Sequence, residues 1–265
     1  MDQPRLDLTA IRRELITARL GQALELYDAI DSTNRRAAEW AREGAPDGAV
    51  VLAECQTAGK GRLGRRWFAP AASSLLMSVV LRPEIEPYQA QRMTMICSLG
   101  AAQAIEQVTG LRPALKWPND LLLDDKKLGG VLTELGVSGA RLTHVIVGMG
   151  LNVNLSLDQL PEVMSPPTSL LSALGQPVDR QVLLRSILSE IDRLYDRFVS
   201  GWSPHAAWRE RLDTIGREVS VGDADGVVSG VAEDVDADGA LLVTSADGER
   251  VRMLVGDVTL RGGCL

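Results

Sequence analysis

KWPNDLLLDDKKLGGVLTEL, residues 116–135, is the stretch on which the fold turns. Leu115 to Trp117, Leu121 to Leu123 and Val131 to Leu135 read as three short, apolar, closely spaced strands. Pro118 stops the first of them, because proline has no N–H to give to a strand ladder. Asn119-Asp120 and Asp124-Asp125 then supply turn chemistry. Lys127-Leu128-Gly129-Gly130 places a lysine at a strand entrance, followed by glycines that let a ligand approach the backbone closely. A lysine beside a turn is usually just solvated, so its meaning depends on what surrounds it.

Downstream, Val137-Ser138-Gly139 turns into a buried strand at Thr143 to Val147. That strand ends in Gly148-Met149-Gly150-Leu151-Asn152-Val153-Asn154, where side-chain-free positions could line a pocket floor. Upstream, Leu24 to Ile30 reads as a strand delivering the chain to Asp31-Ser32-Thr33-Asn34. The small oxygen-bearing side chains of that quartet suit a helix start, and Gly44 closes the helix. Ala49 to Ala53 and Leu75 to Leu81 read as buried strands. Leu8 to Leu20, Tyr88 to Val108, Arg180 to Val199 and His205 to Leu212 read as helices, and Ser165-Pro166-Pro167 as a loop. After Ile215 short Val/Leu strands alternate with Asp-Gly turns, such as Asp238-Gly239 and Asp247-Gly248. This is the pattern of a small β-barrel. The expected division is 1–214 for the larger domain and 215–265 for the small one.

Composition excludes several classes. At 45% apolar and 24% charged residues the chain is globular rather than disordered, and a net charge of −7 argues against a nucleic-acid binder. Cys55, Cys97 and Cys264 are odd in number and lack metal or redox spacing. With only His144 and His205, neither a histidine zinc site nor a Ser-His-Asp hydrolase is supported. No signal segment opens the chain and no apolar run spans a bilayer, which makes it cytoplasmic by expectation.

The densest chemical signal is Gly59-Lys60-Gly61-Arg62-Leu63-Gly64-Arg65-Arg66-Trp67. Glycines expose successive backbone N–H groups among four cations, which suits a phosphate or carboxylate. Lys60 is followed by glycine rather than Ser or Thr, so this is not a Walker loop. A solvated basic turn is the ordinary reading of such a stretch. Flanking strands and the terminal Trp67, a plate beside a cationic fork, argue for a site.

Taken together, Ser32-Thr33-Asn34, ECQTAGKGRLGRRW at 54–67, KWPNDLLLDDKKLGGVLTEL at 116–135 and GMGLNVN at 148–154 resemble biotin protein ligases in order and spacing. The resemblance covers about Ile30 to Asn154 and continues more loosely into the C-terminal barrel. It implies an α+β fold: a mixed-sheet catalytic domain like those of class II aminoacyl-tRNA synthetases and lipoate ligases, plus a small C-terminal all-β Src-homology-3-like barrel. It implies that biotin and ATP form biotinyl-5′-adenylate, and that biotin then passes to a lysine of the biotin carboxyl carrier domain of a carboxylase. Mg²⁺ would accompany ATP, with no dedicated protein metal ligands.

By the same resemblance Ser32, Thr33, Asn34 and Gln56 are biotin-side residues. Lys60, Gly61 and Arg62 cradle the carboxylate and α-phosphate, and Arg65 and Trp67 meet the nucleotide. Asn119, Asp120 and Asn152 are nucleotide-side, while Lys127, with Arg62, carries the catalytic charge. Lys60 stands where many relatives carry arginine, which keeps the charge but loses the planar fork. About 30 residues precede the Ser-Thr-Asn motif, too few for the DNA-binding module of repressor members, so no operator binding is expected. Two other readings stay open. One is a lipoate or octanoate ligase or transferase of the same superfamily, and the other is a non-catalytic nucleotide-binding module.

Overall fold

The computed structural model describes residues 4–159, 166–222, 226–254 and 256–260. Ser165 and Cys264 lie outside them. The elements divide into a seven-stranded mixed sheet with its helices and a separate five-stranded antiparallel sheet, the α+β arrangement expected.

The large sheet is built from β1 (Leu24–Tyr27), β2 (Val50–Ala53), β3 (Ser74–Leu81), β4 (Ala114–Lys116), β5 (Asp120–Leu123), β6 (Lys126–Ser138) and β7 (Arg141–Asn152), in the order β1-β2-β3-β7-β6-β5-β4. Only β1 and β2 are parallel; all the other pairings are antiparallel. Both faces are covered, so β2 and β3 are buried along their whole length and read as unbroken apolar runs.

One face packs on α3 (Gln91–Thr109) and α5 (Arg180–Val199). It takes Val50, Leu52, Met77, Val79, Leu81, Val145 and Val147 into the main core. These two helices cross closely: a Cβ at Gly100 would stand 2.7 Å from Ile191 Cγ1 and 3.0 Å from the Ile191 nitrogen. The other face takes the alternate residues Val51, Val80 and Ile146 against Ala37 and Ala41 of α2 (Thr33–Arg42).

Three further α-helices among the described residues are short. The first, α1, spans Leu8–Glu14 and stops before Leu20. Beyond it the Asp192 carboxylate of α5 accepts from the nitrogens of Ala18, Arg19 and Leu20 at 2.8, 3.0 and 2.8 Å. That long-range anchor replaces helical hydrogen bonding there. Strands β6 and β7 run well past the expected Val131–Leu135 and Thr143–Val147, because each pairs with the other along ten registered positions, Gly129↔Leu151 to Ser138↔Arg141. A helix not anticipated, α4 (Leu170–Leu174), is capped by the Ser169 hydroxyl. The last, α6, covers His205–Arg209.

The small sheet comprises β8 (Glu218–Gly222), β9 (Val227–Val235), β10 (Leu241–Thr244), β11 (Arg250–Met253) and β12 (Asp257–Leu260), in the order β11-β10-β9-β8-β12. It docks through its β9–β10 turn. The buried Trp117 indole donates to Gly239 O at 2.8 Å, and Arg92 of α3 pairs with Asp238 at 2.9 Å.

Candidate functional site

The site lies on the α2 face of the large sheet, where that helix begins. Along this face of β7 the residues run Ile146, Gly148, Gly150, Asn152, opposite Glu134, Leu132 and Gly130 of β6 and Val80, Ser78 and Leu76 of β3. Ile146 and Val80 are covered by α2; beyond Ile146 the β7 strand carries glycine at 148 and 150. A Cβ at Gly148 would sit 1.9 Å from Asn34 Oδ1, and one at Gly150 would sit 2.4 Å from Trp67 Cε2. These two positions are therefore closed to any larger residue by groups lying directly on the strand.

The helix start is assembled by contacts from outside the quartet. Ser32, the N-cap, makes no side-chain cap. Instead the Gln56 side-chain carbonyl accepts from Thr33 N at 2.7 Å and from Thr33 Oγ1 at 3.1 Å. The Ser78 hydroxyl lies 2.8 Å from Thr33 Oγ1 and 2.6 Å from Asn34 Oδ1, while Asn34 Nδ2 donates to Glu134 Oε2 at 2.7 Å. Ser32, Thr33 and Asn34 are all buried. Ser78 and Glu134 were not singled out from the sequence. Their signal was a hydroxyl flanked by apolar residues in 75–81 and a carboxylate between Thr133 and Leu135.

Residues 59–67 form a short 3-10 turn at Arg62–Gly64, with Leu63 and Gly64 in the left-handed region at φ 52° and 73°. The turn closes on itself through Gly61 N to Arg65 O at 2.7 Å and Trp67 N to Gly59 O at 2.9 Å. Together with Leu132 and Glu134 it lines a cavity of about 480 Å³. Arg62 Nη1 reaches Asn119 Oδ1 at 3.4 Å and the main-chain oxygen of Gly256, in the small sheet's domain, at 3.1 Å. Lys60 Nζ is turned toward Glu134, at 3.7 Å, while Arg65 and Arg66 are exposed.

Lys127 Nζ pairs with Asp120 Oδ1 at 2.7 Å and stands 6.0 Å from the centre of the Trp67 ring. Asn119 is fixed against β6: its Nδ2 donates to Val131 O at 2.7 Å, and its main-chain oxygen accepts from Val131 N at 2.9 Å. Because Asn119 and Asp120 are consecutive, Arg62 and Lys127 are drawn to one place from two separate stretches of chain.

A third stretch, read from the sequence only as a loop at Ser165-Pro166-Pro167, also holds that place. Lys127 N donates to Pro166 O at 2.8 Å, Thr168 N donates to Lys127 O at 2.9 Å, and Asn152 Nδ2 donates to Thr168 O at 3.0 Å. Two buried polar atoms here have no protein partner, Asn152 Oδ1 and Trp67 Nε1. An unpaired buried acceptor and donor are costly to leave unmet, so the pair suits a polar ligand. The described residues include no group of three or more His, Cys, Asp or Glu side chains able to hold a metal, and none of their helices is long and apolar enough to cross a membrane.

Residues 26–152 match the biotin/lipoate A/B protein ligase family, and residues 214–261 match the biotin protein ligase C-terminal domain. The biotin–[acetyl-CoA-carboxylase] ligase of Mycobacterium tuberculosis is 34% identical, over 97% of this chain and 96% of that protein. The bifunctional ligase/repressor BirA of Bacillus subtilis is 34% identical over 92% of this chain and 76% of that protein. Among solved structures, the biotin protein ligase from Aquifex aeolicus in complex with biotin and ATP aligns with a TM-score of 0.77 and 28% identity, over 91% of this chain and all (100%) of that one. A cationic loop over a glycine-lined sheet face, a lysine at the β6 entrance and a docked antiparallel domain thus occur in one chain with matches along nearly its whole length, and the chain belongs to the biotin protein ligase family.

Proposed function

We propose that this chain condenses biotin with ATP to biotinyl-5′-adenylate and transfers the biotinyl group to a lysine of a biotin carboxyl carrier domain. The observation that supports this most is the approach of Arg62 and Lys127 to the adjacent Asn119 and Asp120, beside Trp67 on its glycine floor. In the first step a biotin carboxylate oxygen attacks the α-phosphorus of ATP, and pyrophosphate leaves with the electrons of the broken P–O bond. The carboxylate and triphosphate repel one another, and cations fixed before the ligands arrive offset that repulsion without reorganising. In the second step the carrier amine attacks the acyl carbon, loses its proton as the C–N bond forms, and AMP departs.

Within this reading Arg62 and Lys127 carry the catalytic charge. Ser32, Thr33, Asn34 and Gln56 shape the biotin side, with Gly61 giving backbone access. Lys60, turned toward Glu134, would have to swing back to share the carboxylate. Arg65, Trp67, Asn119, Asp120 and Asn152 serve the nucleotide, and the unpartnered Asn152 Oδ1 suits an amino or hydroxyl donor on it. Asp120 is the one carboxylate paired with Lys127 among the described residues, which fits a Mg²⁺ carried on the ATP phosphates with few protein ligands. Residues 1–214 would carry the chemistry and 215–265 would wall the site. The setting would be the cytoplasm, where ATP is at hand and the free thiols of Cys55 and Cys97 stay reduced.

ATP–pyrophosphate exchange with biotin or lipoate as the acid tests the first step, and mass spectrometry of a carrier domain tests the second. Biotin-dependent exchange and a biotinylated carrier lysine are expected. Exchange with lipoate alone, or nucleotide binding without pyrophosphate release, would overturn the proposal.

A further inference from the structure

The deepest charged pair among the described residues lies outside the reaction just proposed. The Arg180 and Glu54 side chains are 3% and 2% exposed, and they meet twice, Nη1 to Oε2 at 2.7 Å and Nη2 to Oε1 at 3.2 Å. A buried ion pair of this kind gains little net stability over apolar packing, because desolvating both ions nearly cancels their attraction. Its use is better sought in what it holds in place.

Glu54 directly follows β2, and Ser74 opens β3. Residues 55–73, which leave the sheet between these two points, carry Gln56, Lys60, Gly61, Arg62, Arg65 and Trp67. Arg180 holds both stems at once, since Nη1 also donates to Ser74 O at 3.0 Å. The outer nitrogen, Nη2, donates to Pro4 O at 2.7 Å, and Glu54 Oε1 accepts from Leu6 N at 2.5 Å, so the N-terminal segment is drawn over the same knot. The guanidinium itself stands at the first residue of α5, whose buried face is locked into the main core at Leu183, Leu184 and Ile187.

We propose that Arg180 and Glu54 are a positioning pair for adenylate formation. They staple the two stems of the 55–73 excursion to α5, so that its main chain is held in the binding-competent arrangement before the ligands arrive. Only a planar fork serves, since one guanidinium must satisfy Glu54, Ser74 O and Pro4 O together. If the stems part, the competent loop becomes a minority state. Apparent affinity then falls by the fraction still competent, while turnover of the assembled complex is unchanged, because bound ligands restore the loop.

This inference rests on the proposed reaction, and its test separates the two. Arg180→Lys keeps a buried cation but loses the fork. Steady-state pyrophosphate release should show the KM for biotin raised about tenfold, the effect of a competent fraction near one-tenth, with kcat little changed. Trypsin cleavage after Arg62, Arg65 and Arg66 should quicken in the ligand-free variant and return to the wild-type rate with biotin and ATP. Ile187→Val, a core change in the same helix, should lower the melting temperature and leave both readings as they were.

A wild-type KM together with wild-type cleavage in folded Arg180→Lys overturns the staple, as does a loss confined to kcat. Should Arg180→Lys lose its cooperative unfolding transition, Glu54→Gln, which keeps shape and acceptor, decides by the same two measurements. If the wild-type protein releases no pyrophosphate with biotin, the reaction is wrong, and the ligand-free cleavage comparison still judges the staple.

Discussion

Gly150→Ala is the sharpest test of the site's geometry, because it adds one carbon at a point where the structure has no room. The new Cβ would lie 2.4 Å from Trp67 Cε2, 2.7 Å from its Nε1 and 2.8 Å from its Cζ2. Carbon atoms in contact settle at roughly 3.5–4.0 Å, so the indole and the strand must separate by more than about 1 Å. The strand is not the part that yields. Gly150 is laddered to Leu76 of β3 on one side and to Gly130 of β6 on the other, in the middle of the sheet. Trp67 therefore lifts, and it moves the segment that Gly59 O and Trp67 N tie together.

A displacement of about 1 Å at a positioning group can cost on the order of a hundredfold in rate, while overpacking itself destabilises by about 1–3 kcal/mol. Adenylation measured by pyrophosphate release should therefore fall about a hundredfold in a protein that still unfolds cooperatively in urea. Trp67→Phe in the same background removes the clashing ring edge, so it should recover part of the loss, and the double-variant cycle should show strong coupling. Wild-type adenylation in Gly150→Ala, or strictly additive effects of the two substitutions, would refute the reasoning that Trp67 on its glycine floor is part of the working site.

Other expectations follow from single contacts. Lys127→Ala should lower the adenylation rate by roughly 10²–10³, as for loss of one charge-stabilising donor, and unchanged turnover would remove Lys127 from the role proposed for it. Trp117→Phe leaves Gly239 O without its buried donor and should cost about 1–3 kcal/mol in urea unfolding; an unchanged midpoint would mean that the two domains do not need this bond. Burial, reinforced by Arg82 and Arg42, lowers the pKa of His144 below its usual 6.5, so the fold favours the neutral ring. That contribution is complete above the unfolded-state value and is lost as pH falls from there through the lowered folded value. His144→Gln should flatten this acid-side loss of stability, and an unaltered pH profile would exclude His144 as its source.

Much of the fold could be read locally. Helix α5 begins and ends at the residues expected, because Asp179 caps it and its apolar stripe is regular. The Asp124-Asp125 turn takes φ values of 50° and 59°, as that residue pair allows. What escaped the sequence was set by distant partners. Leu15 to Leu20 has helical composition but is bound to Asp192, far along the chain. The ends of β6 and β7 contain Gly, Ser and His yet stay extended because each is the other's partner. The same holds at the site. Repeated glycines and cations marked its loops, whereas Thr168, which links Lys127 to Asn152 through main-chain atoms, left no mark that a side-chain pattern could show.

The glycines at 148 and 150 and the length of α2 together explain why the site occupies this part of the sheet. A helix lying on a sheet needs small residues beneath it, and α2 meets that need with Ala37 and Ala41 over Val51, Val80 and Ile146. At Gly148 the first turn of α2 still lies on β7 through Asn34, and at Gly150 the helix has ended. The floor then drops to glycine, and the covering must come from something that can be removed and replaced. Residues 59–67 supply that covering from one side. The second domain touches the same neighbourhood, with Gly256 O at Arg62 and Gly239 O at Trp117, one residue before the Pro118-Asn119-Asp120 turn. On the proposed reaction, a mixed anhydride formed at Arg62 would have groups of both domains beside it. Loosening the Trp117 contact should therefore shorten the lifetime of bound biotinyl-adenylate as well as lower stability, a pairing of effects that damage to a remote core position would not produce.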